Sequence, residues 1–199
     1  MTKKDIIILG CDIHGLEIID MINSTGQYRF IGFVSASEDC PTTFEGYPVL
    51  GNADVLQNYP DACRVPSHVW KDDTDKTNWV NIIAPSAFVA SSATLGIGCV
   101  VYPFCFIGTK ATLADGVLVL ANSIINHDCI IGDRAILASN VSLAGSVNVK
   151  AGAYLGQACT VKQYLTVGSN STVGMGAVVT RNVPDGATVV GCPARALEK

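Results

Sequence analysis

From Ile83 to Val179 every sixth residue is Ile, Leu or Val: Val89, Leu95, Val101, Ile107 and onward to Val173 without an exception. A period of six is neither the 3.6 of an α-helix nor the 2 of a plain strand. It fits a short strand plus a two-residue corner, repeated so that three strands close a triangular coil of about 18 residues. Coils of this kind stack at roughly 4.8 Å, so about five and a half of them would make a rod about 27 Å long. Four residues after each aliphatic comes a small or uncharged residue such as Ala87, Cys99, Cys105, Ser123, Cys129 or Cys159, suited to the tight interior beside it. The residue just after the aliphatic is often glycine (Gly96, Gly108, Gly132, Gly156, Gly168, Gly174), which we expect to supply positive φ at a corner.

Composition narrows the class. The chain has 199 residues, 49% hydrophobic and 15% charged, enough for a sizeable core. Its net charge of -4, with 13 Lys and Arg in no basic stripe, argues against nucleic acid as a partner. No apolar run approaches the roughly 20 residues needed to span a bilayer, so membrane insertion is not expected. The opening "MTKKDIIILG" reads as a first strand, not a signal peptide: Asp5 opens the apolar run and no small-residue cleavage site follows. Eight cysteines lack any CxxC pair, and four fall in the inward slot of the repeat. Reduced thiols in a cytoplasmic protein are expected.

Residues 1–80 have a different grammar, that of a small Rossmann-like α/β domain, and 81–199 form the repeat domain. "DIIILG" is a buried strand, "HGLEIIDMINSTG" a helix with Leu16, Ile19 and Ile22 on one face, and "YRFIGFVS" a second strand. "GYPVLGNADVLQNY" reads as a turn, a short strand and another helix. Within 61–80 the charged "KDDTDKTN" reads as an exposed connection, and His68 as loop.

The repeat carries one histidine, His127, followed by Asp128 in "SIINHDCIIGD". Counting from Ile125, both stand at or beside a corner, with His127 facing outward. No loop interrupts the hexads, so any chemistry must come from the rod's own surface or from a neighbouring rod. A solvated surface histidine is the plain alternative. Chemically the pair suits a general base: imidazole titrates near neutrality, and an adjacent carboxylate stabilises the imidazolium.

The hexads together with "HDCIIGD" and "GMGAVVTRNVPDGATVVGCPAR" (174–195) resemble the left-handed β-helix acyltransferases, in particular the sialic-acid O-acetyltransferase-like and bacillosamine-pathway sugar N-acetyltransferases. The resemblance implies a left-handed parallel β-helix, acetyl-CoA as co-substrate, no metal, and a homotrimer, because the thioester slot lies between two rods. It implies His127 and Asp128 as the catalytic pair and Ile136, Gly145, Gln157 and Met175 at acetyl-CoA positions, with a backbone N–H near Gly145 facing the developing oxyanion. Relatives often carry a second histidine at the position of Ile136. For the sugar acceptor it implies the loop "LGCDIHGLE", with Asp12, Ile13 and His14, and Ser35 after the second strand. As a dinucleotide fingerprint that loop fails, since Asp12 stands at the middle glycine, and a plain turn and helix cap is the alternative. Ile13 replaces a usual glycine, and "CRVPSHVW" departs from the "IAIG"-like strand of relatives. An acetyl-CoA-dependent N-acetyltransferase of a nucleotide-activated amino sugar is the expected activity. O-acetylation of a sialic-acid-like sugar and a non-enzymatic β-helix scaffold are the rivals. A zinc carbonic anhydrase on the same rod would need three histidine ligands and finds one.

Overall fold

A computed structural model describes residues 3–37, 40–71 and 75–197. The chain divides into two compact units, Met1–Ile82 and Ile83–Lys199. No described helix is long and apolar enough to cross a membrane.

The first unit is a five-stranded sheet in the order β3-β4-β2-β1-β5. Its strands are β1 (Lys4–Leu9), β2 (Tyr28–Val34), β3 (Thr43–Phe44), β4 (Tyr47–Gly51) and β5 (Cys63–Pro66). β1 pairs in parallel with both β2 and β5, and β2 with β4. The run Ile6–Leu9 is fully buried, as a strand covered on both faces requires. Helix α1 (Ile13–Thr25) begins at Asp12, whose side chain accepts the Gly15 N–H, and ends at Gly26 with φ 66°. Its buried face is Gly15, Ile18, Ile19, Met21 and Ile22, which keeps Ile19 and Ile22 of the expected stripe, while Leu16 is only half-buried. Gly15 is small because Phe33 packs there: a Cβ would lie 2.7 Å from the ring. The expected second helix is a 3-10 turn, Ala53–Asn58.

The stretch 61–80 contains a strand, β5, that the sequence pattern does not mark. Pro66 and the single arginine broke the strand pattern, yet Arg64 is 4% exposed and its guanidinium donates to Asp75 at 2.8 Å. The expected exposed connection is therefore partly an ion-pair anchor; its residues 72–74 lie outside the described set. Ile7, Leu9, Val34, Leu56, Trp70 and Trp79 form the core of this unit.

The second unit is a three-sided parallel β-helix. Two-residue strands recur at each hexad from Ile82–Ile83 to Val178–Val179 and sort into three sheets of six, five and eight strands, the last including Thr188–Val190 and Arg195–Ala196 beyond the hexads. Coils bond to their neighbours along all three sides, as in Gly108 N–H to Ile125 O at 2.8 Å. The aliphatics Ile125, Ile131, Leu137, Leu143 and Val149 are fully buried, and Cys99, Cys105, Cys129 and Cys159 fill the inward slots beside them at 2% exposure or less.

The glycines after the aliphatics do not supply the positive φ expected of them. That conformation falls two residues further on, at Asp128 (φ 58°), Arg134 (φ 53°), Asn140 (φ 63°), Ser146 (φ 59°) and Tyr164 (φ 64°). The glycines are there because the next coil passes too close. A Cβ on Gly132 would lie 2.5 Å from Ala151 N, and one on Gly108 would lie 2.8 Å from the Asn126 carbonyl carbon.

Candidate active site

His127 and Asp128 form the two-residue corner that follows the strand Ile124–Ile125. The corner is held from both sides: Asp128 N–H donates to Thr109 O at 3.0 Å, and Ser146 N–H donates to His127 O at 2.9 Å. Asp128 takes the left-handed conformation, one that aspartate tolerates better than most residues. That turn swings its carboxylate back onto its neighbour, and Oδ2 lies 2.7 Å from His127 Nδ1. Adjacent residues on a strand would point apart; here the corner brings them together. The imidazole is 61% exposed and the carboxylate 50%, so the pair is open to a ligand. With Nδ1 turned to Asp128, Nε2 is the nitrogen left to take a proton from an attacking group.

One coil along, Gly145 lies beneath the ring. An ideal Cβ there would be 2.5 Å from both Cε1 and Nε2 of His127. Every other corner residue two places after an aliphatic, from Ile97 to Met175, carries a side chain. Gly145 is thus the bare floor on which the imidazole rests, a role distinct from its expected N–H near the thioester. The signal was present in the sequence: 145 is 127 advanced by one coil.

The other expected donor-site residues stand apart from this corner. Gln157 and Met175 occupy successive coils at a different corner, Met175 being 77% exposed. That corner leads into the sheet built from Phe88–Val89, Phe106–Ile107, Ile124–Ile125, Ser142–Leu143, Thr160–Val161 and Val178–Val179, and the His127 corner leads out of it. Ile136 is half-buried on another side of the prism, between Leu118 and Tyr154. Within one chain these residues flank a sheet and do not close around a thioester.

In the first unit, Asp12 caps α1, its Oδ1 accepting Gly15 N–H at 2.6 Å. His14 meets Glu17 at 3.1 Å, and Ile13 is 64% exposed on the same turn. Ser35 is buried and its hydroxyl accepts the Ser37 N–H at 3.1 Å. It lines a cavity of about 480 Å³ with Asn52, Asp54, Trp70 and Lys71 at the carboxyl ends of β2 and β4. His68, read from sequence as loop, lies with its Nδ1 2.7 Å from Asp12 Oδ2.

Residues 5–65 match the PglD N-terminal domain, and residues 110–145 match the bacterial transferase hexapeptide repeat. Among solved structures, a mutant of GDP-perosamine N-acetyl transferase from Caulobacter crescentus, in complex with CoA and GDP-perosamine, is 25% identical. The match covers 100% of this chain and 99% of that one, with a TM-score of 0.87. The acetyltransferase domain of PglB from Neisseria gonorrhoeae FA1090 is 25% identical over 98% of this chain and 100% of its own, with a TM-score of 0.85. Among curated proteins, the acyl-[acyl-carrier-protein]–UDP-N-acetylglucosamine O-acyltransferase of Pseudomonas fluorescens is 42% identical over 88 residues, 44% of this chain and 34% of that protein. The chain thus spans about a third of the length of the curated relatives it matches. The two matches fall one on each unit, the PglD N-terminal domain model on the first and the hexapeptide-repeat model on the second, and the fold is a small α/β domain followed by a left-handed parallel β-helix.

Proposed function

We propose that the protein is an acetyl-CoA-dependent acetyltransferase that acylates the amino group of a nucleotide-linked amino sugar. The reading is carried by the end-to-end likeness to a sugar N-acetyltransferase bound to CoA and GDP-perosamine. In this mechanism His127 Nε2 takes the proton from the attacking amine while Asp128 holds Nδ1 and balances the imidazolium. The amine's lone pair adds to the thioester carbonyl, the carbonyl oxygen gains negative charge, and the Gly145 N–H donates to it. Collapse of that adduct expels the CoA thiolate, which takes up a proton. Ile136, Gln157 and Met175 would contact acetyl-CoA; Asp12, Ile13, His14 and Ser35 would contact the acceptor.

Because those donor contacts flank a sheet within one chain, the site would be completed by a neighbouring rod in a homotrimer. An exposed apolar row supports this: Phe88, Phe106 and Ile124 are 56%, 40% and 41% exposed on the sheet that ends at the His127 corner. Phe88 and Phe106 stack at 5.1 Å. An exposed row of this kind on a β-helix suits contact between copies. Both proposed substrates and the thiols in the prism's interior fit the cytoplasm.

The test is release of free CoA from acetyl-CoA in the presence of a panel of amino-sugar nucleotides and sialic acids. His127→Ala is expected to lower kcat by about 10²–10⁴ without loss of the fold; unchanged turnover removes His127 from the chemistry. Light scattering that returned the mass of a single chain at assay concentration would remove the shared slot. A second reading, acyl transfer to a sugar hydroxyl, is favoured by the O-acyltransferase relatives. The same panel separates the two by which acceptor turns over.

A further inference from the structure

The rod carries a strained aromatic residue close to His127 that no packing accounts for. From Gly98 to Gly176 the second residue of every corner takes the left-handed backbone. Glycine and asparagine, which tolerate it, recur there, and a bulky side chain is disfavoured. Phe104 and Tyr164 are the aromatic exceptions, with φ of 61° and 64°. Phe104 stands two residues before Phe106, in the apolar row proposed to meet a neighbouring copy. Tyr164 has no such company. It is 72% exposed and makes no side-chain hydrogen bond or ring contact with another described residue. Backbone strain under an unpacked ring is the kind of outlier that gathers at ligand sites.

The position of Tyr164 on the rod narrows what that ligand is. Its N–H donates to Gly145 O at 3.3 Å, so its corner lies one coil beyond the glycine floor and two beyond His127. The His127 ring leans the same way. An ideal Cβ on Gly145 would be 2.5 Å from Nε2, which therefore overhangs the coil of Gly145. The next corner past the reacting nitrogen is then Gln163–Tyr164. Coils stack about 4.8 Å apart, and sulfur packs on an aromatic ring at about 5 Å. A thioester with its carbonyl at Nε2 thus brings its sulfur and the methylenes attached to it within reach of the Tyr164 ring. Gln157 and Met175, the proposed donor contacts, bracket residue 164 along the chain, on the coils over which the rest of the arm would run.

We propose that the Tyr164 ring is the wall against which the thioester sulfur and the first methylenes of the donor's pantetheine arm pack. This rests on the reading of the protein as an acetyl-CoA-dependent transferase. The ring contributes donor affinity and takes no part in proton transfer. Covering it with an apolar, sulfur-containing chain offsets the cost of holding a tyrosine at this corner, and only the donor complex gains that contact.

The test is calorimetric titration of the full chain with acetyl-CoA, with steady-state CoA release alongside. Tyr164→Asn suits the left-handed backbone, so it should fold without difficulty and bind acetyl-CoA about tenfold more weakly than the wild type. Tyr164→Phe keeps the ring and should stay within about twofold. In turnover, Tyr164→Asn should raise KM for acetyl-CoA by the same factor and leave kcat and the acceptor KM within about threefold, as loss of uniform binding requires. Light scattering should return one mass for the wild type and both variants. Undiminished acetyl-CoA binding in Tyr164→Asn overturns the proposal. So does a fall in its mass, which would make the ring a contact between copies. A Tyr164→Phe variant as weak as Tyr164→Asn overturns it too, since the hydroxyl would then carry the contact. If acetyl-CoA binding depends on Tyr164 but no acceptor turns over, the donor wall stands and the amino-sugar reading fails; a wild type that does not bind acetyl-CoA ends both.

Discussion

Replacing Gly145 by alanine probes the geometry of the His127 corner without replacing either member of the proposed catalytic pair. The added methyl would lie 2.5 Å from Cε1 and Nε2 of His127, whereas carbon atoms at rest sit about 3.5–4.0 Å apart. The ring must withdraw by about 1 Å, and because it is 61% exposed it can do so at little cost to folding. Gly145 does not have positive φ, so alanine is tolerated there and trims the entropy of the unfolded chain. A 1 Å misplacement of a catalytic group costs about 10²-fold in rate, or about 2.7 kcal/mol of barrier. Steady-state CoA release should therefore show kcat lowered about 100-fold, with a melting temperature within about 2 °C of the parent. In His127→Ala, which has no ring to displace, adding Gly145→Ala should cost nothing further. Turnover of the single variant within threefold of the wild type would refute the steric floor. A further loss in the double variant would point to Gly145 acting on something other than the ring.

Three other outcomes follow from the packing and the charges. Burial pushes the Cys159 thiol up to about 12 and that of Cys99 up to about 11, so iodoacetamide at pH 8 should modify exposed Cys192 in the folded protein and reach Cys99 and Cys159 only in denaturant; native labelling of Cys159 as fast as Cys192, read by mass spectrometry, would contradict the inward slots. The Arg29 hydrogen bond on Asp5, the Thr77 hydroxyl on Asp75 and the Ser169 N–H on Asp185 each hold a carboxyl below its usual range. A depressed carboxyl stabilises the fold above its unfolded pKa and loses that contribution as pH falls through the folded value. Melting temperature should thus hold from pH 7 to about 5 and drop below about 4, less steeply in Asp185→Asn. Tyr164 holds a left-handed backbone while 72% exposed, so Tyr164→Asn should stabilise the fold by about 1 kcal/mol in urea unfolding, and a loss of stability would show that the ring is packed in solution.

How far the sequence alone reached depends on the range of the interactions involved. A hexad is a local, repeated instruction: each aliphatic meets its own image one coil away, so period and inward slots were visible without coordinates, and with them the corner carrying His127 and Asp128. The glycines show where that ends. Their reason is an approach from a coil that the chain reaches only later, and a single hexad does not reveal it. β5 was masked by Pro66 and Arg64, because the ion pair that makes a buried arginine tolerable comes from Asp75, beyond the strand. His68 read as loop because its partner Asp12 is brought to it only by the pairing of β1 with β5. Periodic side-chain chemistry was written along the chain; contacts between residues far apart in it arise only when strand order sets them side by side.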